Sequence, residues 1–164
     1  MKLIIGNIVA LIASLIMVYS GYLKQKKKIL YVQTIQIGLS VLSNIILGGI
    51  TGAIINAVSC IRNILCYKEK LSNITKIILI IIAITLSLSF NNLGLIGLLP
   101  LISTIIYILL MNTQDIIKFK YLIILTMILW LVYDLYIKSY IFAGFDFMNI
   151  VVNIISIIQL LKNN

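Results

Sequence analysis

KQKKKILYVQTIQIGLSVLSNIILGG, residues 24–49, decides the fold. It opens on four lysines, Lys24, Lys26, Lys27 and Lys28, runs through 29–47 without a charge, and ends on Gly48-Gly49. A crossing of the hydrocarbon core needs about 20 predominantly apolar residues. The stretch therefore reads as one membrane helix, basic at its start and closed by a tight turn. The same grammar recurs along the chain. Eleven of the thirteen basic residues fall at alternate breaks in the apolar sequence: Lys24–Lys28, then Arg62, Lys68, Lys70 and Lys76, then Lys118 and Lys120, then Lys162. Only Lys2 and Lys138 fall at the other breaks. Cytoplasmic segments of membrane proteins carry such an excess, so the pattern predicts seven crossings, N-terminus outside and C-terminus inside.

Composition agrees. The 164-residue chain is 62% hydrophobic and 10% charged, with mean hydropathy +1.19, where soluble domains carry about 25% charged residues. A backbone in lipid must bond to itself, as helices or as a closed barrel. Barrel strands alternate polar and apolar residues; these runs are continuous and rich in Ile and Leu. The expected fold is an all-α polytopic membrane protein with crossings at 3–22, 29–48, 50–67, 75–91, 93–111, 121–137 and 141–161. Asp146 interrupts the last, whose uninterrupted apolar part is 147–161. The first resembles a signal peptide but lacks a small-x-small cleavage site before Lys24, so it reads as a retained crossing. The net charge of +9 sits at crossing ends, which points to anionic lipid headgroups and not to nucleic acid.

Sliding the chain by 90 residues lays the first two crossings on the fifth and sixth. Lys28 meets Lys118, Tyr31 meets Tyr121, Ser14 meets Thr104, and Asn44 meets Asp134. A slide of 97 lays the third on the seventh, so that Asn56 and Ser59 meet Asn153 and Ser156. The fourth has no partner. The expected organisation is a parallel repeat, three plus one plus three: residues 1–74, a linker helix over 75–92, and 93–164.

Polar residues inside the crossings form stripes at helical spacing. The second carries Gln33, Gln36, Ser40, Ser43 and Asn44; the third Gly52, Asn56, Ser59 and Asn63; the seventh Asn149, Asn153, Ser156 and Gln159. An unpaired amide in an alkane-like medium costs about 4–8 kcal/mol. These faces must point inward, either as hydrogen-bonding glue between helices or to a solute pathway. Trp130 lies near mid-depth, away from the interfacial belts where Trp anchors sit. It reads as a packed core residue or as an aromatic platform. Asp134 is an intramembrane acid, a functional candidate by default, although Lys138 stands at ion-pair spacing. Arg62 reads as snorkelling to the headgroups or as an inner gate. Pro100, the one proline, reads as a kink or hinge in the fifth crossing.

Enzymatic chemistry finds little here. No histidine is present, which removes Ser-His, Cys-His and zinc-protease arrangements. Cys60 and Cys66 fit no zinc spacing and read as apolar filler. No metal or cofactor is expected.

Two resemblances follow from these residues. Leu47-Gly48-Gly49-Ile50-Thr51-Gly52-Ala53 with Asn56 and Ile61-Arg62-Asn63, and Leu129-Trp130-Leu131-Val132-Tyr133-Asp134 with Lys138-Ser139-Tyr140, resemble YgjV-type bacterial inner-membrane proteins. The three-one-three layout is similar to the SWEET and PQ-loop transporters. In SWEETs an Asn pair on the third and seventh helices lines the solute site, and Asn56 and Asn153 match it. A small residue and a Trp on the second and sixth helices form a second pair, matched by Ser40 and Trp130. The resemblance implies alternating access around a mid-membrane site for a small, uncharged, sugar- or nucleoside-like solute. The residue reading adds Asn44 to that site and Asp134, Arg62 and Pro100 as gating or coupling candidates. The several prolines of SWEET helices and the Pro-Gln pair of PQ-loop proteins are missing. The competing expectation is a membrane receptor or accessory scaffold on the same fold. A homo-oligomer is open to either.

Overall fold

A computed structural model describes residues 2–47, 50–91, 93–136 and 140–162. They form seven α-helices and one short 3-10 turn: α1 (Lys2–Tyr22), α2 (Lys26–Leu47), α3 (Ile50–Tyr67), α4 (Asn73–Phe90), the turn Ile96–Leu98, α5 (Leu99–Leu110), α6 (Ile116–Tyr136) and α7 (Tyr140–Lys162). Five of them, α1, α2, α4, α6 and α7, are long and apolar enough to cross a membrane unaided. The α3 stretch and the turn with α5 are shorter apolar helices.

Local chemistry sets several ends. Ser72 caps α4 by accepting from the backbone N–H of Thr75 at 3.2 Å, which satisfies a free donor of the first turn. Asp115 does the same for α6, its Oδ1 accepting from Ile117 N at 2.8 Å and Lys118 N at 3.2 Å. Gly94 takes φ +58° between α4 and the 3-10 turn, a conformation that suits glycine. Pro100 falls in the first turn of α5. Its missing N–H costs nothing there, because first-turn donors have no partner within the helix. Pro100 is thus a helix-start residue, which corrects the expectation of a kink. The fifth helix begins later than expected for the same reason: the chain before it is a turn. Asp146, by contrast, does not delay α7. The helix runs from Tyr140 straight through it, because its carboxyl faces the interior.

The helices pack as a ring. Successive helices touch in the order α1 to α7, and α7 packs back on α1. Its outside is apolar: Ile4, Ile74 and Leu88 are more than half exposed. Much of its inside is polar, with Ser14, Gln33, Ser43, Asn63, Ser103, Thr126, Asn149 and Asn153 buried. That inversion is what lipid as solvent demands. The Lys-rich half of the ring holds a dry core of Ile29, Leu30, Cys66, Leu79, Ile108, Phe119 and Ile123. Its loops are stitched by side chains. Lys76 Nζ donates to Leu109 O at 3.0 Å, Lys26 Nζ to Thr113 O, and Asn112 Nδ2 to Leu71 O at 3.2 Å. Lys27 pairs with Glu69 at 2.7 Å on the exposed rim, and its hydrogen bond holds the Glu69 carboxyl below the usual carboxylate range. The lysines thus also tie down helix ends, besides marking topology.

Candidate functional site

The other half of the ring holds a cavity of about 450 Å³, its wall apolar over most of its area and set with amides, hydroxyls and a few charged groups. Every helix lends it a face. Three stripe members of α3 line it (Gly52, Asn56 and Ser59), and so do all five of α2. The α2 stripe is partly knitted to itself and to α1: Gln36 Nε2 donates to Ser40 Oγ at 3.2 Å, and Ser43 Oγ donates to Gly6 O at 2.9 Å. Gly52 is small because Asn44 presses on it; a Cβ there would lie 3.1 Å from Asn44 Nδ2.

The floor lies toward the dry core. Arg62 reaches it from α3 and is 5% exposed. Its Nε donates to Asn63 Oδ1 at 3.0 Å, and its guanidinium lies 4.2 Å from the Tyr107 ring centroid. Tyr107 in turn donates its hydroxyl to Gln33 Oε1 at 2.8 Å. Three helices are locked together there. Arg62 does not snorkel, because its side chain points back along α3 into the bundle.

Asp134 on α6 and Asp146 on α7 stand at the other end, 7% and 6% exposed. Their carboxyls meet side by side. Among the described residues no cation pairs with either, and Oδ2 of Asp146 is buried without a hydrogen-bond partner. Lys138, the expected ion-pair partner of Asp134, lies outside the described residues. Trp130, one turn along α6 from Asp134, lines the wall and packs edge-to-face on Tyr133 at 5.8 Å.

Of the residues expected at the site, Asn56, Ser40, Asn44, Trp130, Asp134, Arg62 and Pro100 share this one cavity. Asn153 is placed elsewhere. It is fully buried behind the wall, where its Nδ2 donates to Asn149 O at 2.8 Å and its Oδ1 accepts from Lys120 Nζ at 3.4 Å. Lys120 also donates to Gly21 O at 2.7 Å. The α7 stripe reaches the cavity one turn earlier, through Asn149, whose Nδ2 is buried without a partner. The physical reason is Lys120, whose buried ammonium draws Asn153 into a polar seam against Gly21 of α1.

A family model of bacterial inner-membrane proteins, Imp-YgjV, matches residues 4–164. The chain belongs to that family. It is a multi-pass protein of the bacterial inner membrane, and the motifs around Gly52, Arg62 and Trp130 that resembled YgjV-type proteins all lie in the matched span. No curated protein and no solved structure matches the chain. Within this YgjV-family chain, sequence reasoning overlooked Tyr107 and Gly21 and took Asp146 only as an interruption. Asp146 was findable by the rule that flagged Asp134, an acid inside an apolar run. Tyr107 was findable by the stripe rule, since Ser103 and Thr104 stand four and three residues before it, but only the fold brings it under Arg62.

Proposed function

We propose that this YgjV-family protein carries a small polar solute across the inner membrane by alternating access, rocking two three-helix units about the cavity. The observation that carries the reading is a buried donor without a partner, Asn149 Nδ2, one turn along α7 from Asp146, whose carboxyl has only the Asp134 carboxyl for company. Both residues line the cavity, and buried polar groups are ordinarily satisfied. A hydrogen-bonding solute supplies what they lack.

The three-plus-one-plus-three parallel repeat, N-terminus outside, belongs to the same proposal. The ring's packing supports it: exchanging α1–α3 with α5–α7 turns the α1–α7 contact into the α5–α3 contact. The cavity wall supports it further. Ala10 and Pro100, Ser14 and Thr104, Met17 and Tyr107, Ser40 and Trp130, and Asn44 and Asp134 are pairs 90 residues apart, and both members of each line the wall. SWEET-like mechanics follow from such symmetry, the dry Lys-rich core being the barrier that must open. In the N-outside orientation that core faces the cytoplasm, and its lysines meet anionic headgroups. No catalytic role, cofactor or nucleic acid enters the proposal, and a homo-oligomer is compatible with it.

An uncharged sugar- or nucleoside-like solute fits the amides and hydroxyls of the middle wall. It leaves the charges at the two ends of the cavity unanswered. Counterflow in liposomes tests the proposal: preloaded solute must accelerate uptake of labelled solute. A protein that binds the solute but never accelerates exchange is a receptor or scaffold instead.

A further inference from the structure

We infer that the solute is amphoteric, a short peptide bound with its carboxylate on Arg62 and its ammonium between Asp134 and Asp146. The inference rests on the reading of the cavity as a solute site and narrows what fills it. Arg62 is a buried cation that no carboxylate of the described residues approaches within ion-pair distance. Its neighbours use little of it. Asn63 takes the Nε–H and Tyr107 takes one face. Neither Nη has a hydrogen-bond partner among the described residues, and the side chain lines the cavity. A guanidinium fork presents parallel N–H groups that match a carboxylate bidentately. Tyr107, pinned by Gln33, holds the fork in place.

The opposite end has the opposite sign. Two buried carboxyls face one another there, with no described cation beside them; a pair this close holds one proton between its members and so presents a single negative charge. Trp130 and Tyr133 flank them with aromatic faces, which attract ammonium groups. A net anion would be repelled by that pair, and a net cation would meet Arg62. A solute carrying both charges answers both ends.

Length narrows the class. The α3 wall from Gly52 to Arg62 rises about 15 Å at 1.5 Å per residue. Asp134 lies two residues before the end of α6 that shares Gly52's side of the bundle, so with side chains reaching inward the two charged ends stand on the order of 10 Å apart. Extended chain covers roughly 3.3–3.6 Å per residue, so a tripeptide spans the gap and a single amino acid does not.

Trp130 is the only tryptophan in the chain and lies in the wall, so its fluorescence reports occupancy directly. The purified protein in detergent is titrated with trialanine, its N-acetyl form, its C-terminal amide, sucrose and uridine. Trialanine is expected to shift the emission saturably, and each blocked form to bind roughly tenfold or more weakly, as loss of one buried charge partner requires. Arg62→Gln is expected to erase the difference between acid and amide while keeping that between free and acetylated amine. Asp134→Asn with Asp146→Asn is expected to do the reverse. Arg62→Lys, which keeps the charge, is expected to retain part of the acid preference. The inference is overturned if the three peptides bind alike, if none of them shifts Trp130, or if sucrose or uridine binds in their place. Binding in detergent involves no flux. A charge-selective peptide site without counterflow therefore removes only the transport reading, whereas counterflow of a sugar that Arg62→Gln leaves intact removes only this one.

Discussion

Asn149 and Asn153 are one turn apart on α7 and do different work. Asn149 lines the cavity with a free amide donor; Asn153 sits behind it, bonded to Lys120. Asn149→Ala should therefore weaken solute binding, read by Trp130 fluorescence, and also lower the melting temperature, because its Oδ1 accepts from Asn153 Nδ2 at 3.0 Å. Asn153→Ala should lower the melting temperature and leave binding intact. It removes an acceptor from a buried ammonium, and leaving a buried group short of a partner costs about 1–3 kcal/mol, more for charged groups, which thermal unfolding in detergent measures. Lys120→Met is the informative companion. It keeps the volume but leaves Gly21 O and Asn153 Oδ1 without their donor, so it should destabilise less than Lys120→Ala, which adds a cavity to the loss. If Asn153→Ala abolishes binding at unchanged stability, the wall has been misassigned. The stripe spacing was legible in the sequence, because steps of three and four put Asn149, Asn153 and Ser156 on one face. Which turn of that face meets the cavity was not. It depends on the rotation of α7 against α1 and α6, and Lys120, which reads as a topology marker at a helix end, takes part in setting it.

The helices were legible from apolar run length and lysine position, and α1, α2, α3, α4 and α7 fall within a few residues of expectation. The exceptions are α6, which starts five residues early on the Asp115 cap, and α5, where a proline in an apolar run looks the same at a helix start as at a kink. The contact between α1 and α7 was invisible, because it rests on one glycine. Gly21 lies where a Cβ would stand 2.8 Å from Val152 Cγ1, 2.9 Å from Asn153 Nδ2 and 3.0 Å from Asn149 Oδ1. Asn153 cannot retreat without giving up Lys120. Gly21→Ala should therefore force α1 off α7 and cost about 1–3 kcal/mol, the usual range for overpacking. Gly38→Ala is the control, since a Cβ there meets nothing within 4 Å. It should leave stability unchanged or raise it slightly through helix propensity. Equal melting temperatures for the two variants would show that the α1–α7 seam is looser than the glycine implies. The loop between α3 and α4 makes a smaller prediction. Glu69 gains its depressed pKa from Lys27, so its stabilisation is present above the ordinary carboxylate pKa and lost as pH falls through the lower folded value. Because the pair is fully exposed on the rim, Glu69→Gln should barely move the melt at physiological salt.

The molecule as a whole is polar and hollow toward one end, apolar and filled toward the other. The lysines concentrate at the filled end. Under the proposed alternating access these halves would exchange roles, and the proposed repeat would supply the parts. Residues of α1–α2 and α5–α6 that stand 90 apart share the wall, whereas Arg62 reaches the floor and Gln159, 97 residues on, is exposed. A carrier of this build would rest with one barrier dry and wet it during transport. Leu30 is buried at 1% in that barrier, on the Lys-rich side of the cavity floor. In a background with Cys60 and Cys66 replaced by serine, Leu30→Cys should be inert to a membrane-impermeant methanethiosulfonate reagent while the protein rests. Under solute exchange its labelling should accelerate several-fold, and only from the Lys-rich face, because reactivity then tracks the population of the open state. Ser40→Cys, in the cavity wall, should label at rest from the opposite face and be protected by bound solute. A Leu30→Cys that stays unreactive while counterflow proceeds would mean that the solute passes by a route other than this barrier.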